Sequence, residues 1–99
     1  MSASGRPLMA LLDLLGRRWA LRVIWELREE PLLFRGLQDR CEGMSSSVLN
    51  RRLQELRAAD IVALGEGGYR LTREGRRLLE AYQPLDDWAE RRAARAKRP

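Results

Sequence analysis

With 99 residues, the chain has the length of one domain whose core lies near the lower end of comfortable size. Hydrophobic residues make up 44% and recur at regular spacing, which excludes a disordered chain, while 19 Lys+Arg against 14 Asp+Glu leave a net charge of +5. Histidine is absent and Cys41 is the single cysteine, so the chain cannot build an intrachain disulfide, a zinc site or a His-based triad on its own.

Pro7 opens a helical stretch in which Leu8, Leu11, Leu12 and Leu15 recur at helical spacing, and Gly16 follows as a C′ residue. A second helix is expected from about Arg17 to Glu29, with Trp19, Val23, Ile24 and Leu27 on one side and Trp25 off that stripe. Pro31 stops it, and Pro31-Leu32-Leu33 reads as a very short strand. A short helix from about Phe34 to Cys41 then buries Phe34 and Leu37. Glu42-Gly43-Met44 forms a tight connection to Ser45, a good N-cap. The next helix runs to about Ala59 and buries Leu49, Leu53 and Leu56 at i, i+4 and i+7.

From Ile61 the period changes. Ile61 to Leu64 and Gly68 to Leu71 are short strands joined by the glycine-rich turn Gly65-Glu66-Gly67-Gly68. Thr72 caps a further helix carrying Leu78, Leu79 and Tyr82, which Pro84 is expected to bend or break before the pattern resumes through Leu85 and Trp88. The basic tail from Arg91 to Pro99 is expected to fray. The fold class is therefore mainly α with a small β-hairpin: a winged helix-turn-helix in one domain over residues 1–99. Within it, residues 6–30 form N-terminal helices, 34–59 the helix-turn-helix, 61–71 the wing and 72–95 C-terminal helices.

The stretches "LLDLLGRRWALRVIWEL" (Leu11 to Leu27), "LLFRGLQDR" (Leu32 to Arg40), "MSSSVLNRRLQELRAADIV" (Met44 to Val62), "YRLTREGRRLL" (Tyr69 to Leu79) and "LDDWAER" (Leu85 to Arg91) stand in the order seen in one family. In this the chain resembles the HxlR-type winged helix-turn-helix transcription regulators, relatives of the MarR-like group. The resemblance implies a regulator that binds operator DNA, dimerises through its N- and C-terminal helices and performs no catalysis. Asp60 stands where that family usually has a glycine; Asp tolerates the left-handed backbone better than most residues. The wing tip is shorter than usual. The N-terminal cysteine of the family's redox-sensing members has no counterpart, so thiol sensing is not carried over to Cys41.

The helix from Ser45 to Ala59 has a second face. Ser47, Asn50, Arg51 and Gln54 follow i, i+3, i+4 and i+7 spacing opposite the leucines, and none is acidic. Asn and Gln suit adenine, Arg suits guanine, and Ser suits a base edge or a phosphate. Ser46, Ser47, Asn50, Arg51 and Gln54 are the candidate base contacts. Arg35, Arg40, Ser45, Arg52, Arg57, Arg70 and Arg73 are the candidate backbone contacts, whose role is salt-dependent affinity rather than sequence choice. Leu8, Leu11, Leu12, Tyr82, Leu85 and Trp88 exceed what so small a core needs and are the candidate dimer interface.

The sequence thus predicts a cytoplasmic, non-enzymatic regulator that binds double-stranded DNA as a homodimer. It needs no cofactor and no metal, and has no membrane span; a small-molecule effector is allowed, but no residue identifies one. The competing expectation is a winged-helix module that binds another protein without reading DNA sequence.

Overall fold

A computed structural model describes residues 6–97. Helices α1 (Pro7–Leu15), α2 (Ala20–Glu26), α3 (Phe34–Arg40) and α4 (Ser46–Ala58) precede the strands β1 (Val62–Gly65) and β2 (Gly68–Leu71), and α5 (Arg73–Ala96) closes the chain. The antiparallel hairpin pairs Val62 with Leu71 and Gly65 with Gly68. Leu32 lies on the other side of β2, exchanging both backbone hydrogen bonds with Tyr69 at 2.9 and 2.8 Å. The short strand expected at Pro31–Leu33 is thus a single bridge. Gly68 is obligatory there: its φ is +108°, and a Cβ would stand 2.4 Å from the Leu32 carbonyl oxygen.

The core forms where the leucine stripe of α4 meets α2, α3 and the hairpin. Val23, Ile24, Leu27, Leu37, Cys41, Leu49, Leu53 and Leu56 are fully buried, joined by Met44, Ile61, Val62 and Leu71. Each buried Leu or Ile contributes about 1.5–3 kcal/mol. Among the described residues no buried polar or charged side chain interrupts the core, so apolar packing along one side seats α4 on the body.

Two side-chain caps set the helix starts. Ser45 Oγ accepts from the Val48 amide at 3.2 Å, which fixes the first turn of α4. Thr72 Oγ1 accepts from the Gly75 amide at 2.9 Å and donates to the Asp60 carbonyl at 2.5 Å. The start of α5, the end of the wing and the turn after α4 therefore meet at one threonine. Asp60 takes the left-handed backbone that the sequence calls for there, with φ 60°.

Four features differ from the expectations. The second helix begins at Ala20 rather than Arg17, because Trp19 is left-handed with φ 78° and breaks the register, and it ends at Glu26. Gly16 caps α1 in the right-handed region, with φ −74°, and supplies no left-handed turn. Pro84 sits inside a continuous 24-residue α5 and does not divide it. Its missing N–H costs one bond, to the carbonyl of exposed Glu80, which water can reach; side-chain bonds from Tyr82 to Asp86 (3.5 Å) and Gln83 to Asp87 (3.2 Å) bracket the site. The tail is helical as far as Ala96; Arg98 and Pro99 lie outside the described residues.

Candidate nucleic-acid interface

The exposed face of α4 follows directly from its packing. With Leu49, Leu53 and Leu56 pinned inward, the 100° step per residue turns Ser47, Asn50, Arg51, Gln54 and Arg57 outward, and all five are exposed. Asn50, Arg51, Gln54 and Arg57 make no side-chain hydrogen bond or ion pair within the described residues, while Ser47 Oγ lies 3.3 Å from Ser45 Oγ. The donors and acceptors of this face are therefore available to an outside partner.

The turn between α3 and α4 is held by a residue to which the sequence gives no role. Gln38 Nε2 donates to Ser46 Oγ at 3.0 Å and to the Met44 carbonyl at 3.3 Å, bridging the two helices across Gly43, whose φ is +84°. Of the candidate contacts, Ser46 thus has one hydroxyl interaction inside the chain, and Ser45 has two, with the Val48 amide and the Ser47 hydroxyl. The Gln38 signal was invisible because an amide eight residues before a serine has no helical meaning; only the turn brings them together.

The arginines divide into two groups. Arg35, Arg57, Arg70 and Arg73 are exposed and carry no ion pair among the described residues. Arg40 is exposed, with Glu30 3.4 Å away, and its backbone carbonyl accepts from Arg22 at 2.8 Å. Arg52 departs from the expectation of a phosphate contact. Its side chain is only 13% exposed, it donates through Nε to the Arg18 carbonyl at 3.0 Å, and it pairs with Glu55. The physical reason is angular: Arg52 lies about 60° from Leu49 on the helical wheel, beside the buried stripe rather than opposite it.

Glu55, the one acid of α4, also pairs with Arg17 across 38 positions of sequence. Partial burial opposes its charged form, but hydrogen bonds and charge from Arg52 and then Arg17 outweigh this and hold the carboxyl below its ordinary range.

On α1 and the later part of α5, Leu8, Leu12, Leu85 and Trp88 are 59%, 48%, 60% and 52% exposed, and Met9, next to Leu8 in sequence, is also exposed. Leu11 and Tyr82 are half-buried, so they contribute to the body of the chain as well. Burial, then the Asp86 carboxylate that accepts from the Tyr82 hydroxyl, push the phenol upward, so it stays a neutral donor at physiological pH. Arg92 lies 5.5 Å over the Trp88 ring.

Cys41 is buried at the C-cap of α3. Burial pushes its thiol up, with Glu26 adding to the shift and Arg22 opposing it, which disfavours the nucleophilic thiolate. Among the described residues no group of three or more Cys, Asp or Glu side chains could hold a metal ion, and no helix is long and apolar enough to cross a membrane.

Comparison with known proteins gives this arrangement a context. The model of the HxlR-like helix-turn-helix family matches residues 14–97. The solved structure of quinone-bound YodB from B. subtilis is 30% identical, covering 85% of this chain and 96% of that one, with a TM-score of 0.80. A chain described as a possible HxlR family transcriptional factor from Thermoplasma volcanium GSS1 is 26% identical over 86% of this chain and 83% of that one, with a TM-score of 0.76. At 23% identity, a structure assigned to the MarR family of transcriptional regulators, from Enterococcus faecalis V583, shares the fold over 99% of this chain and 98% of that one, with a TM-score of 0.81. No curated protein was matched.

Proposed function

Since the chain belongs to the HxlR-like helix-turn-helix family of transcription regulators, we propose that it reads a specific double-stranded DNA sequence as a homodimer, with α4 in the major groove. The observation that carries the reading is the outer face of α4: exposed Ser47, Asn50, Arg51 and Gln54, with no acid among them and, for Asn50, Arg51 and Gln54, no partner among the described residues. A face that served only solubility would mix both charge signs. In this reading Ser46, Ser47, Asn50, Arg51 and Gln54 meet base edges, and Arg51 is the strongest single discriminator, since a guanidinium fork matches both acceptors of guanine. Arg35, Arg40, Ser45, Arg57, Arg70 and Arg73 meet the phosphate backbone, and Arg52 is withdrawn from that set.

The homodimer forms through the apolar surface of α1 and the far half of α5, with Leu8, Leu11, Leu12, Tyr82, Leu85 and Trp88 at its centre. A twofold axis then brings two copies of α4 to major grooves about 34 Å apart, one turn of the duplex. Wing contacts come from its base rather than its tip, because the tip carries Glu66, a charge that phosphate repels.

The test is selection of bound sequences from random duplex DNA, with sedimentation to count protomers. An inverted repeat is expected. On it, Asn50→Ala and Arg51→Ala each lose about 1–3 kcal/mol at one fixed position and relax base choice there, while Arg35→Ala weakens every sequence alike and flattens the salt dependence. Equal losses on all sequences for all three variants would remove base reading. A complex with a protein partner that ignores salt, together with no DNA complex, would favour the interaction-module reading instead.

A further inference from the structure

Glu55 poses a problem for a DNA-binding helix. It is the only acidic residue of α4, and a carboxylate this close to a phosphate-facing surface costs affinity unless it does something else. Its two partners indicate what that is. Arg52 pairs with it from one turn earlier, and Arg17 pairs with it from the elbow between α1 and α2. Arg52 in turn donates to the carbonyl of Arg18, the next residue of the same elbow, at 3.0 Å. Two ties, joined through the Arg52–Glu55 pair, therefore run from one flank of α4 to two consecutive residues of the elbow.

The elbow itself is a constrained piece of backbone. Gly16 donates to the Leu12 carbonyl at 2.8 Å, Arg17 to Leu14 at 3.3 Å and Ala20 to Arg17 at 3.1 Å. Trp19 holds φ at 78°, a conformation rare for a bulky side chain, which persists only where the surroundings over-determine it. The surroundings here are the core, against which the Trp19 ring packs, and Arg18, whose guanidinium lies 5.5 Å over that ring. Isolated surface ion pairs do little, but this group differs: three charges form a connected set, Arg52 is only 13% exposed, and a backbone carbonyl closes the circuit. On its N-terminal side the elbow continues straight into α1, whose Leu8 and Leu12 are exposed.

We propose that Glu55 is a positioning residue that fixes α4 to the α1–α2 elbow, and that this tie sets the half-site spacing the protein accepts on DNA. The proposal rests on the homodimeric reading above. With α1 in the subunit interface, the orientation of each α4 relative to the twofold is carried through the elbow to Arg17, Arg18, Arg52 and Glu55. When the tie is cut, each α4 still reads its own half-site, but the distance between the pair is no longer enforced.

The experiment uses the full chain and the selected inverted repeat. Affinities are measured for the repeat, for the same repeat with one base pair inserted or removed, and for a single half-site, in the wild type, Glu55→Gln, Arg17→Ala and the double variant, with thermal melts alongside. The wild type is expected to lose about tenfold or more when the spacing changes. In Glu55→Gln, which removes the charge that both arginines share, that penalty is expected to shrink to about twofold. In Arg17→Ala, which leaves Arg52 on the Arg18 carbonyl, it is expected to shrink part of the way. Half-site affinity is expected to stay within about twofold of wild type in both, and the double variant to match Glu55→Gln. Arg17 is an exposed side chain, so its variant carries the test even where Glu55→Gln lowers the melting temperature. Tighter binding to every site by Glu55→Gln, with the spacing penalty intact, would make Glu55 a mere repelling charge and overturn the proposal. So would proportionate loss on half-site and full repeat. A wild type indifferent to spacing, or sedimenting as one protomer per site, removes the homodimer reading, and the positioning role with it, before any variant is made.

Discussion

Gly75 is the position where a small change has the most decidable outcome. It is buried in the first turn of α5, and on helix propensity alone Gly75→Ala would stabilise that helix by up to about 1 kcal/mol. The surroundings reverse the sign. A Cβ at this position would stand 2.2 Å from the Ile61 carbonyl oxygen, against a comfortable carbon–oxygen separation of about 3.3 Å. The obstacle is backbone, and that same carbonyl accepts the Thr72 amide at 3.0 Å, so moving it away weakens the junction between wing and α5. Overpacking of this kind costs about 1–3 kcal/mol and the disturbed hydrogen bond about 1 kcal/mol. Set against the propensity gain, the net is about 2 kcal/mol of destabilisation. For a chain of this length that lowers the melting temperature by roughly 10–15 °C. Circular dichroism melts of the two proteins at equal concentration measure it; a variant melting at or above the wild-type temperature would refute the close approach of α5 to Ile61.

Three further outcomes follow from the same contacts. Thr72→Ala removes both the cap on Gly75 and the hydroxyl donated to Asp60, and is expected to cost about 1–2 kcal/mol in chemical denaturation; Thr72→Ser, which keeps the hydroxyl, should recover most of it. If the proposed homodimer forms through α1 and α5, Leu85→Glu, on a side chain 60% exposed in the single chain, is expected to shift sedimentation toward the monomer while leaving the helical signal of the body unchanged; an unchanged sedimentation coefficient would count against that interface. For Cys41, the raised thiol means that the unfolded chain ionises at its ordinary value of 9.0 while the folded chain holds its proton longer. Stability from this group is full below pH 9 and declines as pH rises past it, so wild type should lose more stability than Cys41→Ala between about pH 8.5 and 10. Equal pH slopes for the two proteins would contradict the burial of the thiol.

What the sequence makes legible here is whatever depends on near neighbours. The leucine stripe of α4, the Ser45 and Thr72 caps, the glycine turn of the wing and the left-handed Asp60 are all decided within about seven positions, and their signals are in the order of residues. Trp19 is different. Nothing local favours φ 78° at a tryptophan; the core that packs its ring imposes it, and the start of α2 moves by three residues as a result. Pro84 reads as a break because proline lacks the amide proton and its ring crowds the carbonyl four residues back; here that residue is exposed Glu80, where water can replace the lost donor, and the helix runs on. Arg52 looks identical to Arg51 in sequence, yet 100° of rotation turns one toward solvent and the other against the elbow. The tie between Arg17 and Glu55 spans 38 positions, and no periodicity could announce it.

The length of α5 has a consequence for how such a protein would respond in a cell. At about 1.5 Å per residue its 24 residues extend roughly 36 Å, and the stretch from Pro84 to Ala96 is exposed at every position but Asp86. A rod with so little of its own chain leaning on it gains support by mass action, from whatever lies against it. Where that neighbour is an identical rod, the amount of ordered species grows with the square of protein abundance at low levels. Occupancy of a target would then climb steeply over a narrow range of expression, making the number of copies per cell a control input in its own right.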